Sequence, residues 1–281
     1  MINKKILVVL AHPDDESFGM GGTLAYYSSI GVEVHLICAT KGEEGDLPEG
    51  FSTMNYSIAE VRQAELACAA KILGLKSVQF LGFRDSGMEG SPSNKDPRSL
   101  VSQPLEKVAH QIFEKIQEIN PHVVVTFDPL GGYKHPDHIM VNKAATKAFL
   151  DCTQKKSRDT SSDVFSPESL YYHTLGRNLL KFIIKILKLT GKDPCTFGKN
   201  GDIDLNSFAE ADFPIHVQIK TRKYHKLRQQ AAACHQSQGG GQFGGRFISL
   251  LADLFDRKES FMRAYPPAPT TGRIRDDLFD Y

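Results

Sequence analysis

Two short segments hold most of the residues that could do chemistry: Ala11-His12-Pro13-Asp14-Asp15-Glu16 and His135-Pro136-Asp137-His138. Each gathers imidazoles and carboxylates just after an apolar run that reads as a buried strand, Ile6 to Leu10 for the first and Val123 to Phe127 for the second. Loops at the ends of two such strands can converge on one ion. A divalent metal that accepts mixed nitrogen and oxygen ligands, zinc first, could hold a water there while a carboxylate outside the ligand set takes its proton. The expectation is a metal-dependent hydrolase.

The spacing suggests a division of roles. His12 and Asp15 can both face a metal if the chain turns sharply after the strand, with Asp14 directed to the substrate side and Pro13 restricting the turn. His135 and His138, three positions apart, can both reach one cavity from a turn entering a helix. One of them suffices as a third ligand. The other is then free to donate a proton or hydrogen bond to negative charge developing on the substrate, and spacing permits either assignment.

The elements that must position these segments follow from periodicity. After the first strand, Gly19 to Ser29 reads as a helix stopped by Gly31, and Val32 to Ala39 as a second apolar strand. Ser57-Ile58-Ala59-Glu60 has the spacing of a capping box opening a helix that ends at Gly74. Val78 to Leu81 supplies a third strand, and Pro104 opens a helix whose Leu105, Val108, Ile112, Ile116 and Ile119 share one face. With Val123 to Phe127 as the fourth strand, this alternation predicts an α/β fold: a Rossmann-like, mostly parallel sheet with helices on both faces and ligands beyond the strands' carboxyl ends. Farther on, 151–166 reads as an exposed polar loop, Leu170 to His173 and Phe213 to Ile219 as strands, and Thr221 to His235 as helix. The lysine-punctuated stretch Leu179 to Leu189 suits a surface helix or a lid. The whole chain, 1–281, is expected to be one domain, with a C-terminal elaboration after 150.

Composition narrows the partners. Thirty-four basic and thirty-three acidic residues leave a net charge of +1, so no bulk field draws nucleic acid. The five cysteines are odd in number and widely spaced, which favours a reducing cytoplasm and small buried side chains over metal ligands. No apolar stretch suits transmembrane insertion. Self-association is left open, since no heptad or excess apolar helix face marks an interface. Gly19-Met20-Gly21-Gly22 is a poor dinucleotide fingerprint.

The first motif, together with Gly131-Gly132-Tyr133-Lys134-His135-Pro136-Asp137-His138, resembles the zinc-dependent de-N-acetylases of the LmbE or PIG-L family. That family includes enzymes acting on N-acetylglucosaminyl inositol lipids and on the sugar precursors of mycothiol and bacillithiol. The resemblance implies Zn2+ held by His12, Asp15 and His138, Asp14 as general base, His135 as electrostatic or acid partner, and Tyr133 as a second donor near the scissile amide. Arg62-Gln63-Ala64-Glu65-Leu66 resembles a substrate-positioning segment, Arg84-Asp85-Ser86-Gly87-Met88 the loop after the third strand, and Ala233-Cys234-His235-Gln236-Ser237-Gln238 a later family segment. Arg62, Arg84, Asp85 and His235 are thus candidate substrate contacts, although Arg62 with Glu65 and Arg84 with Asp85 could equally be surface pairs. The implied reaction removes an N-acetyl group from an N-acetylglucosaminyl-type sugar conjugate, a linear amide. Hydrolysis of another small-molecule amide, or a noncatalytic sugar-binding or nucleotide-binding module, are the alternatives.

Overall fold

The computed structural model describes residues 3–53, 55–158, 163–174, 184–189, 191, 193–196, 213–241, 258–268 and 272–280. The apolar run before the first motif forms β1 (Lys5–Leu10), and the run before the second forms β4 (Val123–Phe127). Ile6 to Leu10 and Val123 to Val125 are essentially inaccessible. Strands covered on both faces read as unbroken apolar runs, and these two sit at the centre of the sheet.

The sheet has seven strands in the order β3-β2-β1-β4-β5-β7-β6, with β2 at Glu33–Thr40, β3 at Ser77–Phe83, β5 at Ser169–Thr174, β6 at Val217–Lys220 and β7 at Lys258–Tyr265. The first five are parallel, with Leu10 opposite Cys38 and Val8 opposite Val125, whereas β7 pairs antiparallel with both β5 and β6. The expected mostly parallel, Rossmann-like sheet flanked by helices is therefore what forms, and β7 is a strand that sequence reading missed. The order reverses between β1 and β4, whose neighbours lie to opposite sides. At such a switch point the loops leaving the carboxyl ends diverge and open a crevice.

Local signals place most helices. Helix α2 (Ile58–Leu73) opens with the expected capping box, in which Ser57 and Glu60 exchange hydrogen bonds, and closes on Gly74 at φ 74°. Helix α3 (Leu105–Ile119) buries Val108, Ile112, Ile116 and Ile119. It packs on α5 (Pro136–Arg158), which follows the short turn α4 (Gly131–Lys134). Helix α1 (Asp15–Ser29) packs with α2 and with α6 (His225–Cys234).

Several boundaries differ from expectation for identifiable reasons. Helix α1 begins four residues before Gly19 because it is two pieces joined at a kink, Met20 having φ −139°. The kink frees the amides of Gly22 and Thr23, and the buried Glu259 carboxylate of β7 accepts both at 3.0 and 2.7 Å. The polar stretch after Phe149 is not all loop. Asp151 to Arg158 continue α5, anchored by buried Ala148, Phe149 and Cys152. The expected strand at 213–219 reduces to Val217–Lys220, and a short 3-10 turn precedes α6. Within the lid candidate, 184–189 is helical with Ile184 and Leu187 buried, while 179–183 lie outside the described residues.

Cys38 and Cys152 are buried and free as expected, but Cys68 and Cys234 are joined by a disulfide with Cα atoms 6.0 Å apart. Adjacent packing of α2 and α6 brings together two cysteines that sequence spacing reads as isolated. Among the described residues no helix is long and apolar enough to cross a membrane.

The C-terminal segment is tied back to α1 through Tyr27, whose buried hydroxyl donates to Asp277 at 2.9 Å and accepts the Leu278 amide at 2.7 Å. Replacing Tyr27 with Phe leaves that buried amide unpaired. The expected cost is about 1–3 kcal/mol in urea unfolding, with activity unchanged; an unchanged midpoint would show that this tie contributes nothing.

Candidate metal centre and active site

Both motif loops leave the carboxyl ends of the two strands that flank the switch point, so their side chains meet over the crevice. Two ring nitrogens and the two oxygens of one carboxylate form a tight cluster with the three side chains at its corners. His12 Nδ1 lies 3.2 Å from His138 Nε2 and 3.7 Å from Asp15 Oδ2, and His138 Nε2 lies 3.3 Å from Asp15 Oδ1. A tetrahedron with zinc–ligand bonds near 2.0–2.1 Å has edges of about 3.3 Å. All three side chains are at least nine-tenths buried.

The same imidazole divides two overlapping groups of candidate donors, His12 with His135 and His138, and His12 with Asp85 and Asp137. On its Nε2 side His12 faces Asp137 at 3.2 Å and Asp85 at 3.4 Å. A ligating histidine commonly donates its second ring N–H to a carboxylate, which fixes the tautomer and leaves the other nitrogen's lone pair for the metal. The two aspartates fit that supporting role because other donors already engage them. Asp137 accepts the amide and hydroxyl of Ser86, and Asp85 accepts the amides of Glu44 and Gly87.

Burial and close neighbours also shift the charges of the cluster. Burial pushes the Asp15 carboxyl up to about 7 despite the pull of His12. For His12, burial acts downward, but Asp85 and Asp137 outweigh it and hold the imidazole well above its usual value. The donor set therefore fits a divalent cation: two imidazole nitrogens facing each other at 3.2 Å beside a carboxylate that is costly to bury alone.

Asp14 stands beside this triangle at the N-cap of α1, with φ 117° and ψ −29°. A non-glycine residue there costs on the order of 1–3 kcal/mol and needs support from its surroundings. Arg62 supplies part of it. Arg62 is 3 % exposed, and its guanidinium donates to Pro13 O at 2.6 Å, Gly42 O at 2.8 Å and Asp14 Oδ2 at 3.1 Å. Burial raises the Asp14 carboxyl above its usual range, with Arg62 and His235 pulling back. Glycines make room for the guanidinium: a Cβ on Gly42 would lie 2.2 Å from Arg62 Nη1, and one on Gly45 2.5 Å from it.

The second loop is shaped by Asp128, which accepts the amides of Leu130 and Gly132, and by Gly131, where a Cβ would press on His138 and Ile139. Tyr133 is set edge-on to His135 and His138, at 5.7 and 5.0 Å. His135 Nδ1 accepts the Asp137 amide at 3.2 Å, which assigns the proton of a neutral ring to Nε2. Burial, reinforced by His12, draws its pKa down to about 3. The ring is therefore placed as a neutral donor through Nε2.

A scan for known families matches residues 7–149 to the PIG-L model, described as GlcNAc-PI de-N-acetylase. The chain belongs to the PIG-L de-N-acetylase family. A relative in Catenulispora acidiphila, "1D-myo-inositol 2-acetamido-2-deoxy-alpha-D-glucopyranoside deacetylase 2", is 37 % identical over 93 % of this chain and 89 % of its own length. Among solved structures, the N,N'-diacetylchitobiose deacetylase of Pyrococcus horikoshii superposes with a TM-score of 0.62 at 20 % identity, covering 92 % of this chain and 83 % of that one. GalB of Pseudomonas putida, a 4-carboxy-2-hydroxymuconate hydratase, superposes with a TM-score of 0.59 at 15 % identity, over 96 % and 100 %. These two likenesses are of fold. A PIG-L-type sheet also carries a hydratase, so the reaction must be argued from the site.

Among the remaining candidates of this PIG-L chain, Asp85 lies on the far side of His12 and Arg84 pairs with Glu44 and Asp96 at the loop surface. His235 is fully buried against Glu16. Arg62 makes no pair with Glu65, which instead accepts the amide and hydroxyl of Ser237. Asp137, Glu16, Asp128 and Glu65 were missed. For Asp137 a signal existed, since a carboxylate between two histidines of one motif is a natural outer partner for a ligating imidazole.

Alanine at position 42 adds backbone strain at φ 72° and drives Arg62 off Asp14. Turnover should fall roughly 10²-fold, the scale of a misplaced reacting group, while bound metal stays stoichiometric. Full activity in a metal-loaded Gly42→Ala protein would remove Arg62 from the account.

Proposed function

We propose that this chain is a zinc-dependent deacetylase that hydrolyses the linear amide of an N-acetylglucosaminyl-type sugar conjugate. The observation that carries the proposal is the His12, Asp15 and His138 triangle with Asp14 beside it but outside it. Family membership and the curated relative's name, a deacetylase of an N-acetylated inositol glycoside, supply the substrate class. A small amino-sugar conjugate is the proposed partner.

His12 Nδ1, Asp15 and His138 Nε2 would hold the ion. When bound, zinc supplies a Lewis acid that lowers the pKa of a water and polarises an amide carbonyl. Asp14 accepts the proton of the attacking water, and its raised carboxyl pKa lets it return that proton to the departing amine. His135 donates from Nε2 to the oxygen that gains negative charge, and Tyr133, edge-on to both histidines, provides a second donor. Asp85 and Asp137 hold the His12 ring in its ligating orientation. Arg62 acts on Asp14, and through it on the reaction, rather than on the sugar.

The test follows acetate and new primary amine released from a panel of N-acetylglucosaminyl conjugates, with metal content measured on the same samples. Asp14→Asn should keep its zinc and lose roughly 10²- to 10⁴-fold in turnover. His138→Ala should lose both zinc and turnover, and chelation of the wild type should abolish acetate release until zinc is restored. Asp14→Asn retaining full turnover would sink the general-base assignment. A different acyl product would point to another amide, and metal-independent ligand binding without turnover to a noncatalytic module.

A further inference from the structure

We propose that Glu16 and His235 are positioning residues that hold the reaction base Asp14 in its strained backbone conformation, in place of the substrate contact that sequence reading gives His235. The inference rests on the proposed role of Asp14. Glu16 and His235 are both 0 % exposed, and their side chains meet at 2.7 Å between His235 Nε2 and Glu16 Oε1. The second oxygen of Glu16 accepts the Asp14 amide at 3.0 Å, and Ser17 donates its hydroxyl to the first. The Asp14 carbonyl is fixed as well, by the amides of Ser17 and Phe18 at 3.0 and 2.9 Å. The peptide before Asp14 is therefore held at its N–H by the Glu16 carboxylate and at its carbonyl by Arg62, and the carboxylate in turn by the His235 imidazole and the Ser17 hydroxyl.

The arrangement leaves no room for His235 to meet a ligand. Its ring lies edge-on to Phe18 at 5.8 Å, and the segment that carries it is anchored to α2 by Ser237 on Glu65 and by the Cys68–Cys234 bond. Without the Glu16 acceptor, the Asp14 N–H at φ 117° loses its partner, the peptide keeps only the Arg62 bond to the Pro13 carbonyl, and the residue can relax toward an ordinary negative φ. Relaxation swings the carboxylate away from Arg62 while leaving His12, Asp15 and His138 in place. The expected signature is a loss of turnover without loss of metal or of substrate affinity.

The experiment compares zinc-loaded wild type, Glu16→Gln, His235→Gln, their double variant, and His235→Gln in an Asp14→Asn background. Because a single change leaves a buried partner unpaired, the apolar pair Glu16→Met with His235→Leu is included to remove the acceptor without orphaning a charge. Hydrogen–deuterium exchange of the peptide spanning 11–18 should speed up at least tenfold in each Glu16 or His235 variant, and this needs no substrate. With an active conjugate, kcat should fall by about ten- to a hundredfold at unchanged KM and zinc content. The double variant should be no slower than the worse single, and the residual rate of Asp14→Asn should not respond to His235→Gln. Unchanged exchange in 11–18 overturns the proposal whatever the substrate proves to be. A raised KM at constant kcat restores the substrate-contact role, and zinc loss in step with kcat assigns the pair to the metal scaffold. Wild type inactive across the panel but showing the expected exchange would retire the proposed substrate class and leave the positioning role standing.

Discussion

Five carboxylates, those of Asp14, Asp15, Glu16, Asp85 and Asp137, crowd around the crevice, with His12 among them. Burying so much negative charge is tolerable only where each group meets a cation or a dedicated donor. Four are answered by the chain itself: Arg62 on Asp14, His235 on Glu16, and backbone amides on Asp85 and Asp137. The remaining demand falls on the triangle of His12 Nδ1, His138 Nε2 and Asp15, where a hard-to-bury carboxylate and two ring nitrogens face one point. The rest of the architecture can be understood as what keeps these groups together.

The sheet does this by placing the reversal of strand order between β1 and β4. Each strand is anchored by side chains with almost no exposure, so the loop at its end starts from a fixed point. Close approach of those loops then depends on missing side chains, at Gly42 and Gly45 around Arg62 and at Gly131 against His138. The superposition on a hydratase shows that this scaffold does not select a reaction. Selection lies in which side chains the two loops carry and in how the first of them turns.

Features set by neighbouring residues were legible in the sequence. The apolar runs of β1 and β4, the Ser57 to Glu60 capping box and the apolar stripe of α3 each declare themselves within a few positions. So did the two metal-capable motifs, although only the family resemblance separated His138 from His135. Features created by partners far along the chain were not. The break in α1 depends on Glu259, 236 or more residues away, and the Cys68–Cys234 bond on the packing of α2 against α6. Asp151 to Arg158 read as loop because polar composition hides a helix whose buried face lies farther back, at Ala148, Phe149 and Cys152. Arg62 reads from sequence as a candidate substrate contact, and that its guanidinium closes on Pro13, Gly42 and Asp14 is something spacing cannot show.

That adjacent aspartates are proposed to do different work is what most needs a physical cause. In a regular helix, consecutive side chains point about 100° apart around the axis, so Asp14 and Asp15 could not both attend one small site without help. Asp15 is the first helical residue, and its carboxylate folds back to accept the His12 amide at 2.8 Å while facing His138. Asp14 precedes the helix at φ 117°, a conformation that redirects its carboxylate to Arg62 and leaves it more exposed than its neighbour, 15 % against 9 %. On the proposed assignment, the strain separates the carboxylate that would hold the ion from the one that would accept a proton within two residues. Arg62 grips both the Asp14 carboxylate and the Pro13 carbonyl before it, while Glu16, backed by His235, accepts the Asp14 amide, so restraints from different helices meet on this one residue.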